Sequence, residues 1–418
     1  MRKNILYFFK ELTAKLWFRP LIFCLLSIAA ALLAHVADDS FIVDIAPDME
    51  KKSVEDLLST ISSTMLVIAI FAVGAMLSAF SAASGTATPR SFKLIVADDV
   101  SQNALSVFIG SFIYSVVASI ALKNGFYGEA GYFTLFILTI IVFAIVIITF
   151  LRWVERISKL GRLSHTIKKV EDATAEAILI RKKEPLMGGA VVTSNFNKET
   201  PIFSKEIGYI QHINMDQLQE LAIKTDATIL LNCMPGAFTS PEKPLVYLTT
   251  GNTTVFKENI NKLYKSFVIK DTRSFNDDPR FGLIALSEIA SRALSPGIND
   301  PGTAIAIIGS HIRIFSLWLK DEENGKNRKI KYDRIVVPEL STADMFDDAF
   351  RPIARDGANN VEVMIRLQKA LTAIHSTSSF EIKKLVISHS RQAYERAEIE
   401  MKFSMDLELL KKYCLFDS

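Results

Sequence analysis

The chain has 418 residues, of which 50% are hydrophobic and only 22% charged, and its mean hydropathy of +0.25 leans towards a membrane protein with room for two or three domains. A net charge of +3, with no dense basic run carrying interleaved aromatics outside the membrane flanks, excludes a nucleic-acid partner. Cys24, Cys233 and Cys414 are scattered without CxxC spacing, so neither a disulfide framework nor a zinc knuckle is supported, and reduced thiols are expected.

Residues 1–19 place Leu6, Phe9, Leu12 and Leu16 at helical spacing among Lys3, Lys10, Lys15 and Arg19. That pattern predicts an amphipathic helix lying in the membrane interface. An apolar span over residues 21–37 follows, interrupted only by Ser27 and His35. Without a small-residue cleavage site ahead of a soluble body, it reads as a retained transmembrane helix. Residues 57–80, 104–122 and 131–151 contain no Asp, Glu, Lys or Arg, and each comes near or above the roughly 20 residues needed to cross the hydrocarbon core. The membrane domain predicted over residues 20–151 therefore has four helices.

Loop charges orient it. The first connection carries Asp38, Asp39, Asp44, Asp48, Glu50, Glu55 and Asp56 against Lys51 and Lys52. The N-terminal arm, the loop with Arg90 and Lys93, and the run Arg152, Arg156, Lys159, Arg162, Lys168 and Lys169 are basic. By the positive-inside rule both termini lie in the cytoplasm.

Small hydroxyl residues mark two of the spans. Ser78, Ser81, Ser84, Thr86 and Thr88 run off the inner end of the second, and Ser111, Ser115 and Ser119 recur at i, i+4, i+8 along the third. Such residues line an aqueous path or let helices approach closely in lipid, and both readings stand at this point. The absence of ionisable residues from the four spans lowers coupled transport relative to a passive pore, a scaffold or a sensor.

Residues 152–184 stay helical and charged, which predicts a connecting helix whose basic residues face anionic lipid headgroups. The period then shortens to brief β-prone runs, 190–194, 207–212, 227–232 and 245–248, separated by Gly and Pro. The stretch 208–248, with a helix-like insert at 215–224 and a turn at Pro235-Gly236, is similar in pattern to barrel-sandwich domains of the biotinyl/lipoyl type. It lacks the Met-Lys hairpin lysine that those carriers modify. The resemblance therefore implies the fold for residues 185–250 without the swinging arm, and no cofactor is expected.

Residues 251–418 are predicted to be mainly helical, with strands at 267–270 and 330–337, a polar segment at 321–328 and two or three amphipathic helices over 341–414. The connection at 293–302, ALSPGINDPG, spends two prolines and two glycines on one turn, so its backbone path is prescribed. Asp300 is placed to cap the following helix, with Pro301 in its first position. The ALSPGINDP run resembles the signature of DUF2254, a family of bacterial membrane proteins. Residues 81–103 resemble the same family, in a Ser/Pro/Arg-bearing loop followed by an acidic pair and a Gln. The resemblance implies a membrane protein and brings no activity with it.

Around the signature gather Asp277, Asp278, Arg280, Glu288, Arg292, Ser295, Asn299, Asp300 and Thr303. A loop beside a helix start binds anions through backbone N–H groups, so a small-molecule or ion site is one reading. The plainer one has Asn and Asp capping helices while arginines and acids pair. Ser295 has no GxSxG-like elbow, the six histidines show neither HxxxH nor HExxH spacing, and no Walker loop or dinucleotide fingerprint is present. No catalytic residue and no metal are expected.

The predicted class is a membrane α+β protein: four transmembrane helices, a cytoplasmic barrel-sandwich-like β module and a mainly helical α+β domain. Its expected function is that of a homo-oligomeric, non-enzymatic channel or permeation protein in contact with membrane lipid, gated by its cytoplasmic part. The alternative is a membrane-tethered sensor or assembly scaffold with a ligand or partner site at the signature loop. An enzyme acting on a membrane-proximal substrate ranks third.

Overall fold

The computed structural model describes residues 17–36, 38, 50–96, 98–192, 200–250, 253–320 and 330–415. They fall into two compact units, Met1–Thr166 and Ile167–Ser418. Residues 1–16 of the expected interfacial helix, most of the acidic first connection and the polar segment 321–328 lie outside the described residues.

The first unit is built on α1 (Phe18–Val36), α2 (Lys51–Thr86), α3 (Phe92–Val96), α4 (Asp99–Lys123) and α5 (Glu129–Leu160). Of these α1, α2, α4 and α5 are long and apolar enough to cross a membrane. α4 is the most buried and packs against α1, α2 and α5. Along α2 the buried positions Val54, Leu58, Ile61, Met65, Ala69, Ala72, Met76, Phe80 and Ala83 recur every three or four residues. That spacing is one face of a helix, and Leu66, Val67, Ile70, Phe71 and Leu77 stand exposed on the opposite side. Trp153 on α5 is buried in the bundle, with Phe108 at 6.2 Å and Phe150 at 6.1 Å between ring centroids.

At the far end of α1, the Asp38 carboxylate accepts from the backbone N–H groups of Gly128 and Gly131, each at 2.7 Å. It thereby satisfies free donors in the first turn of α5 and ties two spans together.

The second connection is partly helical. Pro89–Ser91 form a 3-10 turn capped by Thr88, α3 follows, and α4 begins at Asp99, five residues before the apolar span predicted from 104. Ile95 of α3 packs with Met76, Phe80 and Ala83 of α2 and Leu160 of α5. The segment is tucked into the bundle because its apolar side chains find cover there.

The second unit contains most of α6 (Leu163–Lys183), then β1 (Gly189–Val191), β2 (Thr200–Phe203), β3 (Gly208–Ile213), α7 (Met215–Lys224), β4 (Ala227–Leu231), β5 (Phe238–Thr239), β6 (Pro244–Thr250), α8 (Thr253–Lys265) and β7 (Phe267–Lys270). Helices α9 (Pro279–Ala293) and α10 (Pro301–Leu319) follow, then β8 (Tyr332–Val337), α11 (Thr342–Asp356), α12 (Val361–Ser376), α13 (Phe380–Glu400) and α14 (Ser404–Lys411). One sheet has the order β1-β8-β4-β6-β2 and a second has β5-β3-β7.

This topology replaces the barrel-sandwich expected for residues 185–250. β8 enters from residues 332–337 and pairs parallel with both β1 and β4, while β7 pairs antiparallel with β3. The reason is burial: β8 is apolar through Ile335, Val336 and Val337, all buried, and a strand of that composition is stable only with neighbours on both edges and cover on its faces. Its core is shared with α7 and α8 through Leu218, Leu221, Phe256 and Leu263, each contributing about 1.5–3 kcal/mol by burial.

In the helical layer α9 packs on α10 and α11, α10 on α12, and α13 on α11 and α12. Phe315, Phe346 and Phe350 form its aromatic centre, with ring centroids 4.5–5.4 Å apart. α10 also has the length and hydropathy of a membrane span. Here that apolarity serves the core of the second unit, where Ala304, Ile307, Ile308, Ile314 and Phe315 are buried.

Candidate functional site

The residues singled out around the signature separate into three small constellations. The first is made by the start of α9. Asp278 caps this helix by accepting from the Phe281 N–H at 3.2 Å, and it takes Arg273 through both oxygens, Nε at 2.7 Å and Nη2 at 2.9 Å. Asp277 lies with its Oδ2 2.6 Å from His212 Nδ1 on β3, and its backbone carbonyl accepts from Arg181 Nη2 of α6 at 3.1 Å. Burial pushes the Arg181 guanidinium below its ordinary value, against the pull of the Asp277 and Asp278 carboxylates. Gly236, at φ +94°, brings the Pro235-Gly236 turn against Asp278, where any Cβ would collide with the carboxylate.

The second constellation links α9 to α11. Arg280 donates from Nε to Asp348 Oδ2 at 2.6 Å and from Nη2 to Asp348 Oδ1 at 3.2 Å, and Nη1 donates to Asp344. Burial pushes the Asp348 carboxyl up, opposed by the Arg280 guanidinium. α9 also packs tightly on α6, since a Cβ on Gly282 would collide with Thr174.

The third is the signature turn. Ser295 donates to the Arg292 carbonyl at 2.6 Å, Asn299 turns the chain at φ +50°, and Asp300 accepts from the Thr303 N–H at 3.0 Å and the Thr303 hydroxyl at 2.6 Å. Those two donors hold the Asp300 carboxyl below the usual range. Arg292 and Asn299 are exposed, as are Pro296, Gly297 and Ile298 at the tip.

Asp277 and Asp278 are thus brought together with Arg181, His212 and Arg273, whereas Arg280 goes to the acids of α11 and Asp300 to its own helix. Arg181, His212, Arg273, Asp344 and Asp348 were missed by sequence reasoning. The i, i+4 spacing of Asp344 and Asp348 was the available signal, because it puts two carboxylates on one helix face. Among the described residues no group of His, Cys, Asp and Glu gathers in a metal-holding arrangement. A groove of about 400 Å³ between α10 and α12 is lined by Ile312, Phe315, Leu319, Ala373, Ile374 and Thr377 with Lys320 at its edge, so titratable groups do not converge on it as an acid–base site would need.

In the first unit the hydroxyl residues divide. Ser78 and Ser81 stand exposed on α2 and Ser84 is half-buried, while the side chain of Thr86 lies outside the described residues. Thr88 is buried, and its side chain accepts from the Arg90 N–H. Ser111 and Ser115 are buried within the bundle, the Ser115 hydroxyl donating to the Ser111 carbonyl at 2.9 Å, and Ser119 is half-buried. The two stripes do not form one surface.

Comparison with known proteins agrees with the helical, apolar first unit. The family described as "Predicted membrane protein (DUF2254)" matches residues 13–373. Uncharacterized proteins of Mycobacterium bovis and Mycobacterium tuberculosis are each 31% identical over 111 residues, 26% of this chain and 21% of theirs. The chain therefore aligns with about a fifth of the length of these curated relatives. No solved structure matches it. With most of its length matched, the chain belongs to the DUF2254 family of predicted membrane proteins.

Proposed function

We propose that the chain is a homo-oligomeric permeation protein of the bacterial inner membrane, crossed by α1, α2, α4 and α5, with both termini and the second unit in the cytoplasm. The reading is carried by the outward side of α2, where Thr60, Ser63, Gly74, Ser78 and Ser81 are exposed among Leu66, Val67, Ile70, Phe71 and Leu77, on a helix whose inward side is wholly apolar. A face turned to hydrocarbon gains nothing from hydroxyls and glycine. A face turned to a second copy, or to water between copies, uses them for close approach and hydrogen bonding. The basic run from Arg152 at the end of α5 into α6 favours the cytoplasmic side for the second unit, and its exposed members supply contacts for anionic lipid headgroups.

The test is reconstitution in liposomes, with cysteine cross-linking at Ser81→Cys after Cys24, Cys233 and Cys414 are replaced. Cross-linked oligomers that carry ion flux are expected. An assembled protein without flux under any ion gradient, or a monomer that carries flux, would overturn the reading.

A second reading, a membrane-tethered sensor or scaffold, is favoured by the exposed tip of the α9–α10 connection, where Ile298 is 48% exposed and Asn299 holds a left-handed conformation. Ile298→Ser would then abolish partner or small-ligand binding while leaving assembly and flux untouched.

A further inference from the structure

The inner end of the first unit holds a polar layer that hydropathy alone does not show. Asp98 closes the α3–α4 connection with its carboxylate fully buried. One oxygen, Oδ2, accepts from the Ser101 N–H at 3.1 Å and the Ser101 hydroxyl at 2.9 Å, which caps α4. The other, Oδ1, receives Arg156 of α5 through Nε at 2.9 Å and Nη2 at 2.5 Å. Asp99, the next residue, turns to α1 instead and receives Arg19 at 2.5 Å, while Arg19 also donates to Asn103 at 2.9 Å. Two consecutive carboxylates at the start of α4, its cap and its first residue, therefore fasten α5 and α1 to it.

The layer is not fully satisfied. Gln102 donates to the Val96 carbonyl at 3.1 Å, yet its Oε1 is buried without a hydrogen-bond partner among the described residues, as is Nε1 of Trp153, one turn before Arg156 on α5. A buried ion pair is weak as a source of stability, because desolvation offsets its attraction, and a partly satisfied polar network is costly to keep. Both features suit a layer that has a second arrangement. α3, whose exit Asp98 anchors, is in turn the cover over the inner end of α2, through Ile95 against Phe80 and Ala83.

We propose that the Asp98–Arg156 pair is a latch on the inner end of α2: while it is closed, α3 is held down and α2 is fixed against α5, and when it parts, that end of α2 moves with Ser78 and Ser81. The proposal deepens the permeation reading and rests on it for the meaning of the movement, because those serines flank the proposed path.

The test uses the full-length chain in lipid, with spin labels at Ser81→Cys and Ser158→Cys after replacement of the native cysteines, and ion flux measured in parallel. Asp98→Asn keeps the helix cap, since Asn caps as well as Asp, but removes the charge pair, and Arg156→Gln removes the other partner. Each is expected to lengthen or broaden the distance between the labels and to change flux at least tenfold, while Arg156→Lys stays near the wild type. Assembled Asp98→Asn and Arg156→Gln proteins with wild-type distances would overturn the latch. Should either single variant fail to fold, the double variant Asp98→Asn/Arg156→Gln, which leaves no buried unpaired charge, takes its place under the same criterion. Distances that respond in a protein carrying no flux would keep the latch and remove the permeation reading. Wild-type flux with unresponsive distances would do the reverse.

Discussion

Arg280 on α9 grips Asp348 on α11 through two nitrogens, at 2.6 Å and 3.2 Å, and donates to Asp344 one turn away on the same face. A guanidinium held in this fork geometry joins two helices as well as balancing charge. Asp348 is only 15% exposed on its side chain, so Arg280→Ala leaves a carboxylate half-stranded and is expected to cost about 2 kcal/mol. Arg280→Lys recovers part of the loss, because an ammonium cannot make both bonds. Thermal unfolding in detergent measures both variants. An Arg280→Ala protein as stable as the wild type would mean that the pair contributes nothing and would return Arg280 to the list of ligand-binding candidates.

The signature turn is read through Asp300. Its carboxylate accepts two bonds from Thr303, so Asp300→Ala is expected to destabilise the second unit by about 1 kcal/mol and Asp300→Asn by much less. The sign with pH follows from the same bonds. Because they hold the folded carboxyl below its ordinary value, the stabilisation is complete above an unfolded value of about 4 and is lost as pH falls through the folded one. Denaturant midpoints between pH 3 and 6 should show this loss in the wild type and less of it in Asp300→Asn.

The contrast between these two sites shows what a sequence displays. The Asp300 cap was legible because every participant lies within three residues and the Pro beside it fixes the helix start. The partners of Arg280 were not, since Asp344 and Asp348 lie 64 and 68 residues further on and only packing selects them from the other acids of α11. The four long helices of the first unit were visible for the same local reason, their unbroken apolar stretches. Asp98 was hidden behind that success. The uncharged stretch begins only at residue 104, while the helix starts at Asp99 and the carboxylate before it is buried by Arg156, 58 residues away. Likewise β8 carried a clear strand pattern, but nothing local says that it inserts between β1 and β4.

His389 on α13 supplies a second pH effect. Its ring is buried, with Phe346 at 5.6 Å and Asp347 Oδ1 3.5 Å from Nε2. Burial lowers its affinity for a proton, opposed by Asp347 and assisted by Arg351 and Arg396. A histidine whose folded value is depressed contributes stability that is complete above the unfolded value of about 6.5 and is lost as pH falls below it. His389→Gln should flatten the fall in melting temperature between pH 7 and pH 5. An unchanged slope would assign that fall to other groups.

The close contact of α9 with α6 is tested by size alone. A Cβ on Gly282 collides with Thr174, so Gly282→Ala is expected to cost about 1–3 kcal/mol through overpacking. Thr174→Ala in the same chain removes the nearest colliding atom and should return part of it. Additive losses in the double variant would show that the two positions do not share the contact.

The serine stripes separate packing from permeation. Ser115 is fully buried inside the bundle, where a leucine must displace neighbouring side chains. Ser115→Leu is expected to lower protomer stability by about 1–3 kcal/mol, with any change in flux following from that loss. Ser78 is exposed on α2, so Ser78→Leu leaves the protomer intact and acts only on what lies outside it. If that is an aqueous path between copies, flux falls while oligomer size is kept, because an apolar ring dewets the path. If it is a dry helix contact, the oligomer dissociates, because leucine forces the helices apart. Thermal unfolding, oligomer size in detergent and liposome flux on these two variants separate the outcomes. A Ser78→Leu protein unchanged in all three would place α2's outward face against lipid and take away the support for a path along it.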